Sequence, residues 1–165
     1  MDQNRRLKIA EKFRALIPGL PDSLFNSSPD HGLGVSYRLT FADSEFFDER
    51  AFDLVLRART YADSIACTDP LLASLFTIAV VSSLLPASKL IRAGDVIYKT
   101  EEETAQEHVE FIPQVQGQIL RMAEDLLKVD PITSKPILLC EDAKGLGSLP
   151  PLCVDTVITS PPYLN

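Results

Sequence analysis

The sequence is poor in the residues that build metal and redox sites. Its 165 residues include only three cysteines and two histidines. Cys67, Cys140 and Cys153 lie far apart, without the close pairs that zinc sites and redox motifs require. His31 and His108 likewise lack partners at metal-ligand spacing. We therefore predict no metal site, and interpret the cysteines as reduced, buried thiols and the histidines as a loop and a helix-surface residue.

Long apolar segments are also missing. The most apolar run, residues 71–85, spans 15 positions and includes Ser and Thr. Crossing a bilayer takes about 20 apolar residues, so this run predicts a buried helix rather than a membrane span. Residues 1–6 lead into an amphipathic segment instead of an apolar signal core. These features predict a cytoplasmic protein without a membrane partner.

A net positive charge, which would favour unaided binding to nucleic acid, is absent. The formal net charge is −7 at pH 7. Lys and Arg supply most nucleic-acid affinity by neutralising phosphates, so any DNA-holding surface must be local or supplied elsewhere. The cations of residues 5–8, 57–59 and 89–99 are interrupted by acidic or apolar residues, and we interpret them as solvated helix faces.

The residues that are present suit a folded globular protein, with 45% hydrophobic and 24% charged side chains. Apolar spacing, capping residues and an apolar run predict four helices in the first 130 residues. They span residues 3–17, about 44–65, 71–85 and about 102–129. Asp43 or Ser44 is expected to cap the second helix, and Asp69, followed by Pro70, the third.

Turn-forming residues interrupt this helical pattern. Residues 21–44 are rich in Pro, Gly, Asn, Ser and Asp, which predicts the least ordered loop of the chain. We interpret Gly32-Leu33-Gly34 and Gly145-Leu146-Gly147 as turns, since neither follows a strand with a third glycine in place. Pro113 and Gly117 predict a kink or break in the fourth helix.

Two short apolar runs near the C-terminus predict strands. Residues 136–140 and residues 154–159 are apolar or β-branched, as is typical of buried parallel strands in an α/β sheet. The expected fold class is therefore α+β or α/β. A mainly helical region, residues 1–130, is followed by residues 131–165 as two strands of an incomplete Rossmann-like sheet.

The second run leads directly into Ser160-Pro161-Pro162-Tyr163. The carboxyl end of a strand is where open α/β sheets bind ligands, and two prolines make a stiff corner whose carbonyls have no competing N–H. A serine oxygen can hold the protons of an amino group, while the Tyr ring can stack on a flipped base. With the earlier run, which ends in Glu141-Asp142-Ala143, residues 136–165 resemble S-adenosylmethionine-dependent DNA amino-methyltransferases.

The resemblance implies methyl transfer from S-adenosylmethionine to an exocyclic amino group of a flipped DNA base, as in restriction-modification. The implied catalytic residues are Ser160, Pro161, Pro162 and Tyr163. Serine in the first position is more typical of cytosine-N4 enzymes, and Asp or Asn of adenine-N6 enzymes. The resemblance also places Asp142 and Ala143 beside the cofactor adenine. A loop-capping role for Asp142 is the equal alternative.

A looser resemblance lies upstream. The apolar helix of residues 71–85, followed by residues 88–99, is similar to a helical insert in one group of bacterial DNA methylases. Such an insert would bring Arg92 or Lys99 near DNA. The alternative is a loop stabilised by a surface Arg–Asp pair.

The glycine-rich cofactor signature of the family, Asp-Pro-Phe-x-Gly-x-Gly, does not occur in this sequence. We therefore expect the cofactor loop in residues outside these 165 or on a complementary chain, and expect this chain to be inactive alone. Two alternatives stay open. The chain is a non-catalytic half of a split methyltransferase that acts as an interaction module, or the methylated amino group belongs to RNA or protein.

Overall fold

The computed structural model describes residues 3–42, 44–93, 95–100, 102, 110–128 and 156. The chain divides into two units, Met1–Pro131 and Ile132–Asn165. The described residues form six helices and one two-stranded antiparallel sheet, so the fold is mixed α+β and mostly helical. The predicted helical character of the N-terminal region is confirmed. The predicted strand of residues 136–140 lies outside the described residues.

The elements follow one another in this order: α1 Gln3–Arg14, α2 Leu20–Asn26, α3 His31–Phe41, α4 Glu49–Ala66, α5 Pro70–Leu84, β1 Leu90–Ala93, β2 Asp95–Tyr98 and α6 Phe111–Lys128. Helix α1 ends earlier than predicted and tightens into a turn. In that turn, the N–H of Leu16 donates to the carbonyl of Phe13 at 3.2 Å, a three-residue spacing.

The loop predicted for residues 21–44 is wrong, because α2 and α3 occupy most of it. Pro21 stands in the first turn of α2, where the missing N–H has no helical partner to lose. Asp30 caps α3 by accepting from the N–H of Leu33 at 2.9 Å. The turn predicted at Gly32-Leu33-Gly34 is also wrong, and Gly34 instead lets α3 approach Leu56 of α4 closely.

Asp side chains cap the next two helices. Asp48, rather than the predicted Asp43 or Ser44, caps α4 by accepting from the N–H of Ala51 at 2.7 Å. Asp69 caps α5 as predicted, accepting from the N–H of Leu72 at 3.1 Å. A side-chain cap is identified by where the chain leaves the helical conformation, and composition does not distinguish between closely spaced acidic residues.

The apolar composition of α5 had predicted a buried helix, but α5 is buried on one side only. Ala73, Phe76 and Ala79 face the core, whereas Ile78 is 52% and Val81 60% exposed. A helix that is apolar all round has no face that marks the solvent side, so its sequence alone does not reveal the exposed half. None of the helices that the structure describes is long and apolar enough to span a membrane.

The kink or break predicted at Pro113 and Gly117 does not occur within α6. It begins at Phe111, so Pro113 falls in the first turn, and it then continues through Gly117 to Lys128 without interruption. Its buried side chains recur every four residues, at Phe111, Val115, Ile119 and Ala123. They meet α1 and α5 in the main core, where Phe13, Leu20 and Phe76 are also fully buried.

A β-hairpin occupies residues that had been assigned to a loop or insert. Strands β1 and β2 pair antiparallel, with Leu90 opposite Tyr98 and Arg92 opposite Val96. Each strand has only four residues, so its alternation of apolar and polar side chains is a weaker sequence signal than that of the preceding helix. The interpretation of Cys67 as buried is wrong, since it is exposed at the end of α4.

Candidate functional site

The sequence-predicted catalytic and cofactor residues lie outside the described residues. They are Ser160, Pro161, Pro162, Tyr163, Asp142 and Ala143. Within the strand predicted for residues 154–159, Thr156 is described, and it is exposed and belongs to no strand. The other residues of that predicted strand lie outside the described residues.

The described residues instead bring aromatic rings together beside the hairpin. Tyr37 of α3 lies 4.7 Å from Phe52 of α4, measured between ring centroids. Phe46, in the segment between these helices, stacks on Tyr98 of β2 at 5.9 Å with an interplanar angle of 27°. Edge-to-face contacts join Phe46 to Tyr37 and Phe41. The cluster therefore connects the consecutive helices α3 and α4 with β2, which follows α5 and β1 further along the chain.

Hydrogen bonds hold the segment that carries Phe46. The Tyr37 hydroxyl donates to the carbonyl of Ser44 at 3.2 Å and accepts from the N–H of Phe46 at 3.4 Å. The N–H of Lys89 donates to the carbonyl of Phe46 at 2.8 Å. The Lys89 ammonium also pairs with Glu45 at 3.0 Å, on the surface. These bonds fix the base of the hairpin against the helices.

A wide depression of about 620 Å³ opens beside this aromatic cluster, lined by Tyr37 and Phe52 among others. The charged side chains on its walls are Arg38, Glu45, Asp48, Glu49 and Lys89. Acidic groups outnumber basic ones, so the local field disfavours phosphate. The aromatic depression can accept a flat ring by stacking, but it is poorly suited to a polyanion.

A second concavity, the basic groove, lies between α1 and the start of α5. It has a volume of about 310 Å³ and is lined by Arg5, Lys8, Ile9, Lys12, Asp69, Leu71 and Leu72. The Lys12 ammonium pairs with the Asp69 carboxylate at 3.1 Å. The Leu72 N–H, followed by the Lys12 side chain, holds the pKa of Asp69 below its ordinary value of 3.8. The carboxylate is therefore charged at neutral pH and already matched by two donors.

Of the two hairpin residues predicted to approach DNA, Lys99 has contacts that the structure describes, and Arg92 is located by the strand register. The N–H of Lys99 donates to the carbonyl of Lys89 at 2.7 Å, and its ammonium lies 3.5 Å from the carbonyl of Pro86. The register sets Arg92 opposite Val96, and Asp95 opposite Ala93. The Arg–Asp pair proposed for this segment is therefore not a directly opposed cross-strand pair.

Two other sequence interpretations need correction. His31, expected in a loop, is the first residue of α3 and is exposed, whereas His108 lies outside the described residues. Arg57, expected on a solvated face, holds backbone carbonyls of Phe25 and Ser27 at 3.1 and 2.7 Å. In the part of the chain that the structure describes, no group of three or more His, Cys, Asp and Glu side chains is arranged to hold a metal ion.

Comparison of the chain with protein-family models, with curated proteins and with solved structures finds no match. The basic groove had a sequence signal, because Arg5, Lys8 and Lys12 are spaced three and four residues apart and so share a helix face. The aromatic depression had none, since its rings come from separate elements.

Proposed function

We propose that this chain is part of an S-adenosylmethionine-dependent DNA amino-methyltransferase, with cytosine N4 favoured over adenine N6 as the methylated atom. The observation that carries the proposal is the β-branched run of residues 154–159, which continues directly into Ser160-Pro161-Pro162-Tyr163. The acidic Glu141-Asp142 pair after the preceding apolar run supports it. Residues 131–165 would then begin a Rossmann-like catalytic sheet.

The tetrapeptide suits the chemical problem of methylating a base. The lone pair of an exocyclic amino nitrogen is delocalised into the ring, so acceptors must hold its protons for the nitrogen to become a good nucleophile. Ser160 Oγ and the Pro161 carbonyl are the acceptors that this corner offers. Pro162 stiffens the corner, and the Tyr163 ring offers a stacking face for a base flipped out of the duplex.

The cofactor site is represented only in part by these residues. S-adenosylmethionine would supply an electrophilic methyl group on a sulfonium sulfur. Asp142 and Ala143 are the chain's candidates for contact with its adenine, but the 165 residues contain no glycine-rich cofactor loop. The proposal therefore assigns that loop to residues other than these, and assigns to this chain the positioning of the target amino group.

A substitution of Ser160→Ala in the gene of the source cell tests the proposal. Loss of an acceptor that acts in proton handling is expected to lower N4-methylcytosine in genomic DNA about 100-fold. Tyr163→Ala is expected to lower it about tenfold, because stacking contributes about 1–3 kcal/mol per base. Ser148→Ala, a serine in the preceding segment, is the matched control and should leave the level unchanged.

The other outcomes identify the alternatives. A loss of N6-methyladenine instead would change the target base, and a loss of methylated amino groups in RNA or protein would change the substrate class. Unchanged methylation in all three would favour a non-catalytic interaction module, the role that the missing glycine-rich loop suggests. Calorimetric titration of the purified chain with S-adenosylmethionine then asks whether this module holds any part of the cofactor.

A further inference from the structure

Positive charge is concentrated in the first helix. Five of the chain's 16 Lys and Arg residues and one of its 23 Asp and Glu residues lie in α1, giving this helix a formal charge of +4 in a chain of −7. Such asymmetry is a common feature of surfaces that meet polyanions. The net charge of the whole chain therefore conceals a strongly basic segment.

The structure aligns part of this charge along the basic groove. Arg5, Lys8 and Lys12 line it from α1, and all three are exposed. The seven-residue interval from Arg5 to Lys12 spans about 10 Å of helix, so the three side chains form a row along α1. A row of cations suits several successive anionic groups better than a single anion.

The one acidic group in the basic groove does not oppose this assignment. Asp69 is engaged by the Lys12 ammonium and by the N–H of Leu72, each at 3.1 Å. Lys8 forms no ion pair with any residue that the structure describes. Among the described residues that line the basic groove, Lys8 therefore presents a positive charge that is not matched by an ion pair, and it lies beside the exposed Arg5.

We propose that the basic groove between α1 and α5 binds the backbone phosphates of a nucleic acid. The choice of nucleic acid over other polyanions rests on the proposed function, while the charge and the geometry of the groove do not. Arg5 and Lys8 contact phosphates, and the groove holds the duplex without reading its sequence. Affinity through the groove falls as salt rises, because each phosphate contact releases counterions.

Binding of the full chain to a 20-base-pair unmodified DNA duplex, without cofactor, tests the inference. Fluorescence anisotropy is measured across a salt series for the parent chain and for Arg5→Gln/Lys8→Gln. The double substitution is expected to weaken binding about tenfold and to lower the slope of log K against log salt by about 2. Glutamine keeps helix propensity, and circular dichroism checks the fold.

The matched control is Arg121→Gln/Lys128→Gln, which removes two charges from exposed positions on α6. It is expected to change affinity less than twofold. Equal losses for the two double variants would mean diffuse attraction and overturn the inference. So would failure of the parent chain to bind the duplex at low salt, or equally tight groove-dependent binding of poly-glutamate, which would indicate an acidic protein partner.

These outcomes separate the groove from the proposed catalysis. Groove-dependent duplex binding by a chain whose Ser160→Ala substitution leaves cellular methylation unchanged would reject the catalytic role of the tetrapeptide and support the groove. Loss of methylation on Ser160→Ala, with equal duplex affinity in the two double variants, would reject the groove alone.

Discussion

Two regions of the helical unit differ in how they are held. Helices α1, α5 and α6 pack on one another through fully buried side chains, with four buried residues in α6 at four-residue intervals. Among the residues of α3, Gly34 is the one that is buried, and all four residues of β2 are exposed. The first region, the packed core, has the apolar burial that stabilises a domain, and the second, the hairpin region, has little of it.

Polar links and ring contacts take the place of burial in the hairpin region. The N–H of Asp30 donates to the carbonyl of Leu56 at 3.2 Å, which ties the start of α3 to α4. Tyr37 and Lys89 hold the segment that carries Phe46. Since hydrogen bonds contribute less net stability than burial of large side chains, this region is expected to open before the packed core.

The largest expected effect contrasts one ring from each region. Phe76→Ala removes a fully buried ring that meets Tyr61 edge-to-face at 5.2 Å, and should cost about 3–5 kcal/mol of unfolding free energy. Tyr98→Ala removes a ring that is 51% exposed, and should cost about 1 kcal/mol. Urea denaturation followed by circular dichroism measures both.

Phe76→Leu is the milder control, because it fills most of the space and keeps the protein folded if the alanine variant unfolds. A cost for Tyr98→Ala as large as that for Phe76→Ala would show that the hairpin is as strongly coupled to the fold as the core, and would remove the distinction between the two regions.

An intermediate effect is expected at the link between α2 and α4. The Arg57 guanidinium donates to two carbonyls at the end of α2 and to Asp53 at 2.6 Å. Arg57→Met should lower the unfolding free energy by about 1.5–3 kcal/mol, because the charged hydrogen bonds are lost and the two carbonyls are left without this donor. Urea denaturation provides the measurement.

Arg59→Met is the matched control for Arg57→Met on the same helix. The Arg59 guanidinium makes an exposed i,i+4 pair with Asp63, so its loss should change stability by less than about 0.5 kcal/mol. Equal costs at the two arginines would mean that the carbonyl contacts of Arg57 contribute nothing measurable.

The helices of the core were predictable from the sequence, whereas α2 and α3 were not. The spacing of apolar residues identified α1 and α4, and the apolar run after the Asp69-Pro70 pair identified α5. The α2–α3 region was misread because Pro21 and Gly34 suit both a loop and a helix. In the structure, one stands at a helix start and the other beside Leu56. Which use applies depends on tertiary contacts that no local pattern contains.

The candidate sites also differ in whether the sequence alone could predict them. The tetrapeptide at Ser160 is a local motif, so it was recognisable from the sequence, and its role stays a prediction. The basic groove needed the helix face of α1 together with Asp69 from a distant helix start. The aromatic depression needed Tyr37 of α3 and Phe52 of α4 together with Lys89, which precedes β1, and their meeting follows only from packing.

The smallest expected effect compares a glycine in each region. Gly117 lies inside α6, and a Cβ added there would meet Arg121 Nη1 at 3.9 Å, an ordinary contact. Gly117→Ala should therefore raise the unfolding free energy by about 0.5–1 kcal/mol, the helix-propensity difference. At Gly34, an added Cβ would lie 3.3 Å from Leu56 Cδ1, so the leucine must shift and Gly34→Ala should gain less.

Thermal and urea denaturation of both variants measures the difference. A gain at Gly34 equal to that at Gly117 would mean that Leu56 adjusts without cost, as a loosely held hairpin region would allow. A net loss at Gly34 would mean that the α3–α4 contact is packed as tightly as the core.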